Sequence, residues 1–236
     1  MNSNQLSKRL HTVATFVPKG STVADIGSDH AYLPCFLIHC QVATRAIAGE
    51  IVEGPYQSAR RQVIEDGLDH LIEVRKGNGL AVIDTGEVEV VTIAGMGGPL
   101  IAQILEEGKD KLNGVKRLIL QPNVSAISIR DWLIANGWSL IQEAILQEDG
   151  KIYEVLVAEQ SEHPVSLTYS ERLLGPYLIQ EKSSVFQLKW QQEYKQWDRI
   201  KHQIDQAGKT VGVDEKKKEL HNKMKIVQEV LQWEKR

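Results

Sequence analysis

Apolar and polar positions follow two different periods along the first 159 residues. Short runs rich in β-branched residues alternate with stretches in which apolar side chains recur every three or four positions. The runs predict strands at residues 22–26, 44–48, 71–74, 88–93 and 117–120. The stretches predict helices at residues 6–16, 31–40, 55–65, 100–107 and 127–136. Strands and helices that alternate in this way form parallel βαβ units, so we expect an open sheet covered on both faces.

Two further apolar runs, residues 138–146 and 152–157, follow the fifth strand and flank Asp149-Gly150. Asp-Gly between two strand patterns predicts a β-hairpin. Parallel strands that end in an antiparallel hairpin resemble the Rossmann-like class I methyltransferase fold more than a nicotinamide-binding Rossmann domain. We therefore expect an α/β fold with a class I methyltransferase sheet and a terminal antiparallel hairpin.

The chain changes character after residue 160. Strand patterns stop near Ser170, and two helical stretches carry apolar seams at Phe186, Trp190, Tyr194 and Trp197 and at Leu220, Met224, Val227 and Leu231. Gly208 and Gly212 lie between the stretches. This pattern predicts a helical, coiled-coil-like hairpin. We expect a catalytic domain at residues 1–160 and a helical domain at residues 161–236.

Charge is distributed unevenly over these two parts. The whole chain of 236 residues has a net charge of −3, but residues 1–159 carry −6 and residues 160–236 carry +3. The basic part permits a polyanionic partner. Its lysines, such as Lys216, Lys217, Lys218 and Lys223, either contact phosphates or form a solvated face.

Hydrophobic runs and cysteines indicate the cellular compartment. No run of 18 apolar residues occurs, and the first ten residues lack the apolar segment of a signal peptide. The two cysteines, Cys35 and Cys40, point in different directions on the predicted helix and suit neither a disulfide nor a metal pair. We expect a cytoplasmic protein without a membrane span or a metal.

The turn after the first strand is the first candidate site. Gly27 allows a sharp turn, while Asp29 and Ala31 replace the later glycines of the usual Gly-x-Gly-x-Gly pattern. A carboxylate here disfavours a pyrophosphate and suits the cationic sulfonium and amino groups of S-adenosylmethionine. The alternative is a plain strand–helix turn in which Asp29 caps the helix.

Three more candidate segments lie at strand ends. Glu50 follows Gly27 at a spacing of roughly 20 residues, where an acid can accept hydrogen bonds from both ribose hydroxyls of an adenosine cofactor. Asn78, between two glycines, either meets the adenine edge or forms an Asn-Gly turn. The glycine-rich segment 93–98 and the segment 121–123 end the fourth and fifth strands, where open α/β sheets bind ligands.

Taken in order, segments 25–34, 47–50, 93–98 and 121–123 resemble those of the TrmK family, bacterial tRNA (adenine-22, N1) methyltransferases. The resemblance covers the whole chain, including the predicted hairpin and the helical tail. It implies S-adenosylmethionine as the cofactor, tRNA as the partner and a tail that contributes to tRNA binding. It implies the cofactor-binding residues Arg9, Gly27, Ser28, Asp29, Glu50, Asn78, Gly79, Ala94 and Met96.

The resemblance also implies methyl transfer to the N1 atom of an adenine that has left its paired or stacked position. The polar residues expected around this base are Asp29, His30, Tyr32 and Asn123. Asp29 could orient the cofactor or accept from the adenine amine, Asn123 could hold the base edge, and Tyr32 could stack on the base or pack against its helix. Arg9 is either a solvated charge or, by the resemblance, a partner of the methionine carboxylate.

Two other functions fit the sequence less well than methyl transfer. A nonenzymatic nucleic-acid-binding module with a vestigial nucleotide fold would tolerate the loss of Asp29 and Glu50, yet both are present. A nicotinamide-dependent oxidoreductase should carry Gly-x-Gly-x-x-Gly, which is missing. We expect a methyltransferase that is a monomer, with a dimer left open by the sequence.

Overall fold

The chain divides into two compact units in the computed structural model, Met1–Thr168 and Tyr169–Arg236. The structure describes residues 3–161, 166–206 and 213–232. The predicted boundary between residues 160 and 161 stays a prediction, since residues 162–165 lie outside the described ranges.

The first unit is built on one seven-stranded sheet with the order β3-β2-β1-β4-β5-β7-β6. The first five strands are parallel, and β7 lies antiparallel between β5 and β6. This arrangement confirms the predicted parallel sheet with a terminal hairpin. The strands are β1 Ser21–Ile26, β2 Ala43–Glu50, β3 Ile72–Lys76, β4 Val90–Gly97, β5 Arg117–Val124, β6 Trp138–Glu148 and β7 Lys151–Gln160.

Helices cover both faces of the sheet because neighbouring strand residues are buried on opposite sides. Ile119 belongs to an apolar cluster on one face, and its neighbours Leu118 and Leu120 belong to the cluster on the other. Alternate burial of this kind is typical of a sheet without a solvent face. The helices of this unit are α1 Lys8–Thr15, α2 Tyr32–His39, α3 Glu53–Glu65, α4 Gly98–Glu107 and α5 Ala126–Ala135.

At the candidate site, β4 and β5 extend further than the sequence predicts. β4 includes the glycine-rich segment through Gly97, and β5 includes Gln121, Pro122 and Asn123. Their pairing is irregular between Ala94 and Met96. Pairing continues past this irregularity because the intervening residue, Gly95, adopts a φ of +81°, which a glycine accepts without strain.

The second unit contains only helices in its described residues: α6 Tyr169–Leu174, α7 Pro176–Glu181, α8 Ser184–Gln206 and α9 Val213–Leu231. Tyr194 contacts Gln228 and Asp205 contacts Lys217, so α8 and α9 are antiparallel. Phe186 and Trp190 on α8 and Leu220, Met224 and Val227 on α9 are buried, which confirms the predicted helical hairpin. The predicted turn at Gly208 and Gly212 lies outside the described residues.

The sequence did not predict α6 and α7. Each has six residues, and Gly175 and Pro176 separate them, so neither is long enough to show a helical period. Throughout the described part of the chain, no helix is long and apolar enough to cross a membrane.

Candidate active site

A cleft opens at the carboxyl ends of β1, β2 and β4, where the strand order reverses direction. Its volume is about 250 Å³, just below the usual range for ligand sites, which suits one nucleoside moiety. Open parallel sheets bind ligands at such a reversal. The cleft is lined by Ile26, Gly27, Gly49, Ile51, Gly77, Asn78, Gly79, Met96, Leu100, Gln103, Ile104 and Glu107.

The turn after β1 is tightly organised around Gly27 and Asp25. Gly27 has a φ of +72°, and a Cβ there would lie 2.2 Å from the Met96 Cε, so any other residue would displace Met96. The buried Asp25 carboxylate accepts from the Ser28 and Thr92 hydroxyls, both at 2.6 Å. Burial raises the pKa of Asp25, and these hydrogen bonds partly oppose that rise.

Asp29 does not cap the following helix, so the cap alternative is wrong. The residue preceding α2 is Ala31, and no side-chain hydrogen bond caps that helix. Asp29 and Ala31 adopt positive φ angles of 59° and 54°, which are uncommon for residues other than glycine. This strained conformation presents the Asp29 N–H to the Glu50 carboxylate.

Glu50 ends β2 beside the cleft, as predicted. Its side chain is 6% exposed and accepts the Asp29 backbone N–H. Burial raises the pKa of Glu50, and the nearby Asp29 and Asp25 carboxylates raise it further. A buried acid with unused acceptor capacity is suited to ligand hydroxyl donors.

The loop after β3 closes the cleft on one side. The Gly77 N–H donates to the Glu50 carbonyl oxygen at 2.9 Å, which ties this loop to the end of β2. Asn78 is exposed and precedes a short 3₁₀ turn that begins at Gly79. Both predicted residues, Asn78 and Gly79, line the cleft.

Arg9 is partly buried and has defined partners, so the alternative of a solvated charge is wrong. The Lys8 and Arg9 backbone N–H groups at the start of α1 donate to the Glu148 carboxylate at 2.5 and 3.1 Å. The Arg9 guanidinium donates to Gln121 Oε1 at 2.5 Å and lies 5.6 Å from the centre of the Tyr153 ring. The terminal hairpin therefore holds α1 in a position that brings Arg9 to the end of β5.

Asn123 is held by the glycine-rich end of β4. Its Nδ2 donates to the Gly95 carbonyl oxygen at 2.7 Å, and Ala94 pairs with Gln121 in the ladder. The other three candidates around the base lie after β1. The His30 and Tyr32 rings stack at 5.1 Å with an interplanar angle of 15°, and His30 Nε2 lies 3.8 Å from Asp29 Oδ1.

The structure therefore separates the predicted catalytic residues into two groups. Within the described ranges, no hydrogen bond joins Asn123 to Asp29, His30 or Tyr32. The two groups flank β4, because β4 lies between β1 and β5 in the sheet. A base bound between them would meet an amide from one group and aromatic rings from the other.

Sequence reasoning missed one wall of the cleft and several supporting residues. Leu100, Gln103, Ile104 and Glu107 on α4 line the cleft. Their spacing of three, one and three places them on one helical face, but the same spacing is typical of any core helix. Glu148 and Tyr153 support the site through contacts distant in sequence, for which no local signal exists. Asp25 and Gln121 lie in segments that the sequence singled out, but no role was predicted for either side chain.

No metal site emerges from the described residues, which contain no group of three His, Cys, Asp or Glu side chains suited to an ion. The chemistry of the site is instead that of buried carboxylates, glycine turns and one arginine. These groups suit a ligand that carries hydroxyl donors, a positive charge and a carboxylate.

The sheet order, the antiparallel terminal hairpin and a cleft with an acid at the end of β2 define a class I methyltransferase. The model of the TrmK family, tRNA (adenine(22)-N(1))-methyltransferase, matches residues 23–229. The chain belongs to this family.

Individual relatives agree with that assignment. The chain is 52% identical over 236 residues to the tRNA (adenine(22)-N(1))-methyltransferase of Bacillus subtilis, covering 98% of this chain and 99% of that protein. The crystal structure of the B. subtilis m1A22 tRNA methyltransferase TrmK superimposes with a TM-score of 0.91 at 51% identity, covering 97% of this chain and 99% of that one. M. capricolum TrmK in complex with S-adenosyl-homocysteine gives a TM-score of 0.83 at 26% identity, with coverage of 96% and 98%.

Proposed function

We propose that this protein transfers a methyl group from S-adenosylmethionine to N1 of adenine 22 in tRNA. The observation that carries the proposal is the coincidence of two findings: the family match spans residues 23–229, and this range contains every strand end that forms the cleft. Nothing in the cleft favours a second function.

The residues around the cleft fit the cofactor. A Cβ at Gly27 would fill part of the turn, so the glycine keeps the backbone accessible. Asp25, Asp29 and Glu50 surround the turn with negative charge, which complements a sulfonium and an ammonium group and opposes a pyrophosphate. Glu50 would accept from the ribose hydroxyls, Asn78 would meet the adenine edge, and Arg9 would pair with the methionine carboxylate.

When bound, S-adenosylmethionine supplies the methyl group: the N1 lone pair forms the new N–C bond, and the C–S electron pair remains on sulfur as a neutral thioether. The protein supplies mainly proximity and orientation. Asn123 Oδ1 would accept from the adenine N6 amine, whose proton becomes more acidic once N1 is alkylated. Tyr32 and His30, already stacked on each other, would support the plane of the base.

We also propose that the helical unit contributes to tRNA binding. Its described helices carry Lys216 and Lys218 exposed and without an ion pair among the described residues, while Lys217 pairs with Asp205 and Lys223 with Glu219. Only the first two of these lysines are therefore immediately available to phosphates. The protein would act as a monomer in the cytoplasm.

The direct test uses an unmodified tRNA transcript that carries adenine 22, incubated with the protein and S-adenosylmethionine. Nucleoside mass spectrometry should detect 1-methyladenosine, and fragment mapping should place it at position 22. A transcript with guanine at that position serves as the control and should remain unmethylated. Methylation at a different position, or none by a folded protein that binds the cofactor, would contradict the proposal.

A second test addresses the catalytic residues. Asn123→Ala should lower kcat and leave cofactor affinity nearly unchanged, because we assign Asn123 to the base and not to the cofactor. Asp29→Ala should lower kcat and also weaken cofactor binding, because it removes a carboxylate from the turn that faces both ligands. Equal losses of cofactor affinity and turnover in Asn123→Ala would contradict the assignment of Asn123 to the base.

A further inference from the structure

One buried amide joins the two halves of the site. Gln121, at the end of β5, is fully buried. Its Oε1 accepts from Arg9 Nη1 at 2.5 Å and from the Gly95 N–H at 3.0 Å. Its Nε2 donates to the Pro122 carbonyl oxygen at 2.8 Å and lies 3.5 Å from Asn123 Oδ1.

The orientation of this amide is determined by its partners. Arg9 Nη1 and the Gly95 N–H can only donate, whereas the Pro122 carbonyl can only accept. Reversing the amide would place its NH₂ group against two donors and its oxygen against an acceptor. The contacts therefore allow one orientation, with both polar ends of Gln121 satisfied.

Gly95 connects Gln121 to Asn123 a second time. Gln121 binds the Gly95 N–H, while Asn123 Nδ2 binds the Gly95 carbonyl oxygen at 2.7 Å. Gly95 has a φ of +81° and lies close to Arg9, since a Cβ there would be 3.4 Å from Arg9 Nη1. The backbone of Gly95 is thus held between the residue assigned to the cofactor and the residue assigned to the base.

We propose that Gln121 is a positioning residue that sets Arg9 for the cofactor carboxylate and Asn123 for the adenine. This inference rests on the proposed function and adds that the cofactor-binding and base-binding residues are coupled through Gln121. A substitution at Gln121 should disturb cofactor affinity through Arg9 and turnover through Asn123, although Gln121 itself touches neither ligand. The effects on affinity and on turnover should be separable, because the first depends on Arg9 and the second on Asn123.

Gln121→Met preserves the approximate size of the side chain and removes both polar ends. We expect its dissociation constant for S-adenosylhomocysteine to rise about tenfold, as for the loss of one hydrogen bond to a charged group, and its kcat to fall by a similar factor. Gln121→Asn is a second variant in case the first does not fold, since its amide is too short to keep the Arg9 contact.

Double-mutant cycles distinguish positioning from general stability. In an Arg9→Met background, Gln121→Met should cause little further loss of cofactor affinity. In an Asn123→Ala background, it should cause little further loss of kcat. Gln62→Met is the matched control, because it also removes glutamine hydrogen bonds, to Ser3 and Asp66, and should leave both quantities unchanged.

Calorimetry with S-adenosylhomocysteine and single-turnover methylation of the tRNA transcript supply the two readouts. Fully additive effects in both backgrounds, or unchanged affinity and kcat in both Gln121 variants, would overturn the inference. The proposed function is judged separately by the unsubstituted protein. If that protein failed to methylate adenine 22, the calorimetric cycle between Gln121 and Arg9 would still decide the positioning role.

Discussion

At the scale of single residues, the site combines strained backbone with buried carboxylates. Asp29 and Ala31 adopt left-handed conformations that bring the turn after β1 against Glu50. Asp25 and Glu50 are both buried, and burial raises the pKa of each. A buried, ionised carboxylate without a strong cationic partner raises the free energy of the ligand-free protein. A cationic ligand with hydroxyl donors would lower that free energy on binding.

The raised pKa of Glu50 leads to a pH prediction. Ribose hydroxyls bind the carboxylate form, so ligand binding should release a proton when Glu50 is protonated in the free protein. Affinity for S-adenosylhomocysteine should therefore be greatest well above the raised pKa of Glu50 and should weaken as the pH falls through that pKa. This weakening should begin at a pH above the ordinary pKa of 4.5. In Glu50→Gln, calorimetry should show weaker binding with this part of the pH dependence removed. An identical pH profile in both proteins would refute the role of Glu50.

Gly98 gives a second prediction at this scale. It is buried at the start of α4, and a Cβ there would lie 2.1 Å from the Ser125 backbone oxygen. Because the backbone at Ser125 would have to shift, Gly98→Ala should lower the free energy of unfolding by about 1–3 kcal/mol, as measured by urea denaturation. The control, Gly54→Ala in α3, meets no atom within 4 Å and should be neutral or stabilising. An unchanged free energy of unfolding in Gly98→Ala would show that α4 is not packed tightly against the backbone at Ser125.

At the scale of elements, a buried ionic cluster connects α5 to the terminal hairpin. Arg130 on α5 donates to Glu143 on β6 at 2.8 Å and to Glu154 on β7 at 2.9 Å. All three side chains are almost fully inaccessible to solvent. The hairpin that carries Glu148 and Tyr153 toward Arg9 is thus anchored at its centre by charge as well as by packing.

Removing the cation from this cluster should be costly. Arg130→Met would leave two buried carboxylates without their shared partner, so we expect a loss of about 3–5 kcal/mol in the free energy of unfolding. Arg117→Met is the comparison, because Arg117 pairs with Glu159 and donates to the Phe16 carbonyl oxygen at 2.8 Å in a partly exposed position, so its total loss should be smaller, about 1–2 kcal/mol. Chemical denaturation of both variants at neutral pH provides the measurement. Equal losses would show that burial of the Arg130 cluster has little energetic effect.

At the scale of the whole molecule, acidic and basic regions are separated along the chain. Residues 1–159 carry −6 and residues 160–236 carry +3. Long-range attraction of a polyanion is therefore expected from the second part, while the first provides local complementarity to a cationic ligand. The two compact units of the structure follow the same broad division.

The lysines of α9 supply the corresponding prediction. Lys216→Gln with Lys218→Gln should weaken tRNA binding and reduce the slope of log affinity against log salt by roughly 0.7–0.9 for each phosphate that the protein no longer neutralises. Lys109→Gln with Lys111→Gln changes the net charge equally, but these lysines already pair with Glu106 and Asp84. Filter binding across a salt series should separate the two double variants. Identical salt slopes would indicate that Lys216 and Lys218 form only a solvated face.

The amino-acid sequence by itself determined the order and type of the sheet elements and the segments at their ends. Hydrophobic periodicity is a local property, so it identified the parallel strands, the Asp149-Gly150 hairpin and the long tail helices. It also led to Gly27 and Glu50, because consecutive βαβ units place both strand ends at the same edge. The short helices α6 and α7 were not predicted, because a helix of one or two turns is too short to show a hydrophobic period.

Only the tertiary structure decided how distant segments complete the site. Arg9 and Gln121 are 112 positions apart, and Lys8 and Glu148 are 140 positions apart, yet each pair is joined by a hydrogen bond. The cleft-facing side of α4 and the burial of Asp25 likewise depend on how helices and strands pack after the sheet has formed. Such contacts leave no periodic trace in the chain, because they arise where folding brings separate elements together rather than from the preferences of neighbouring residues.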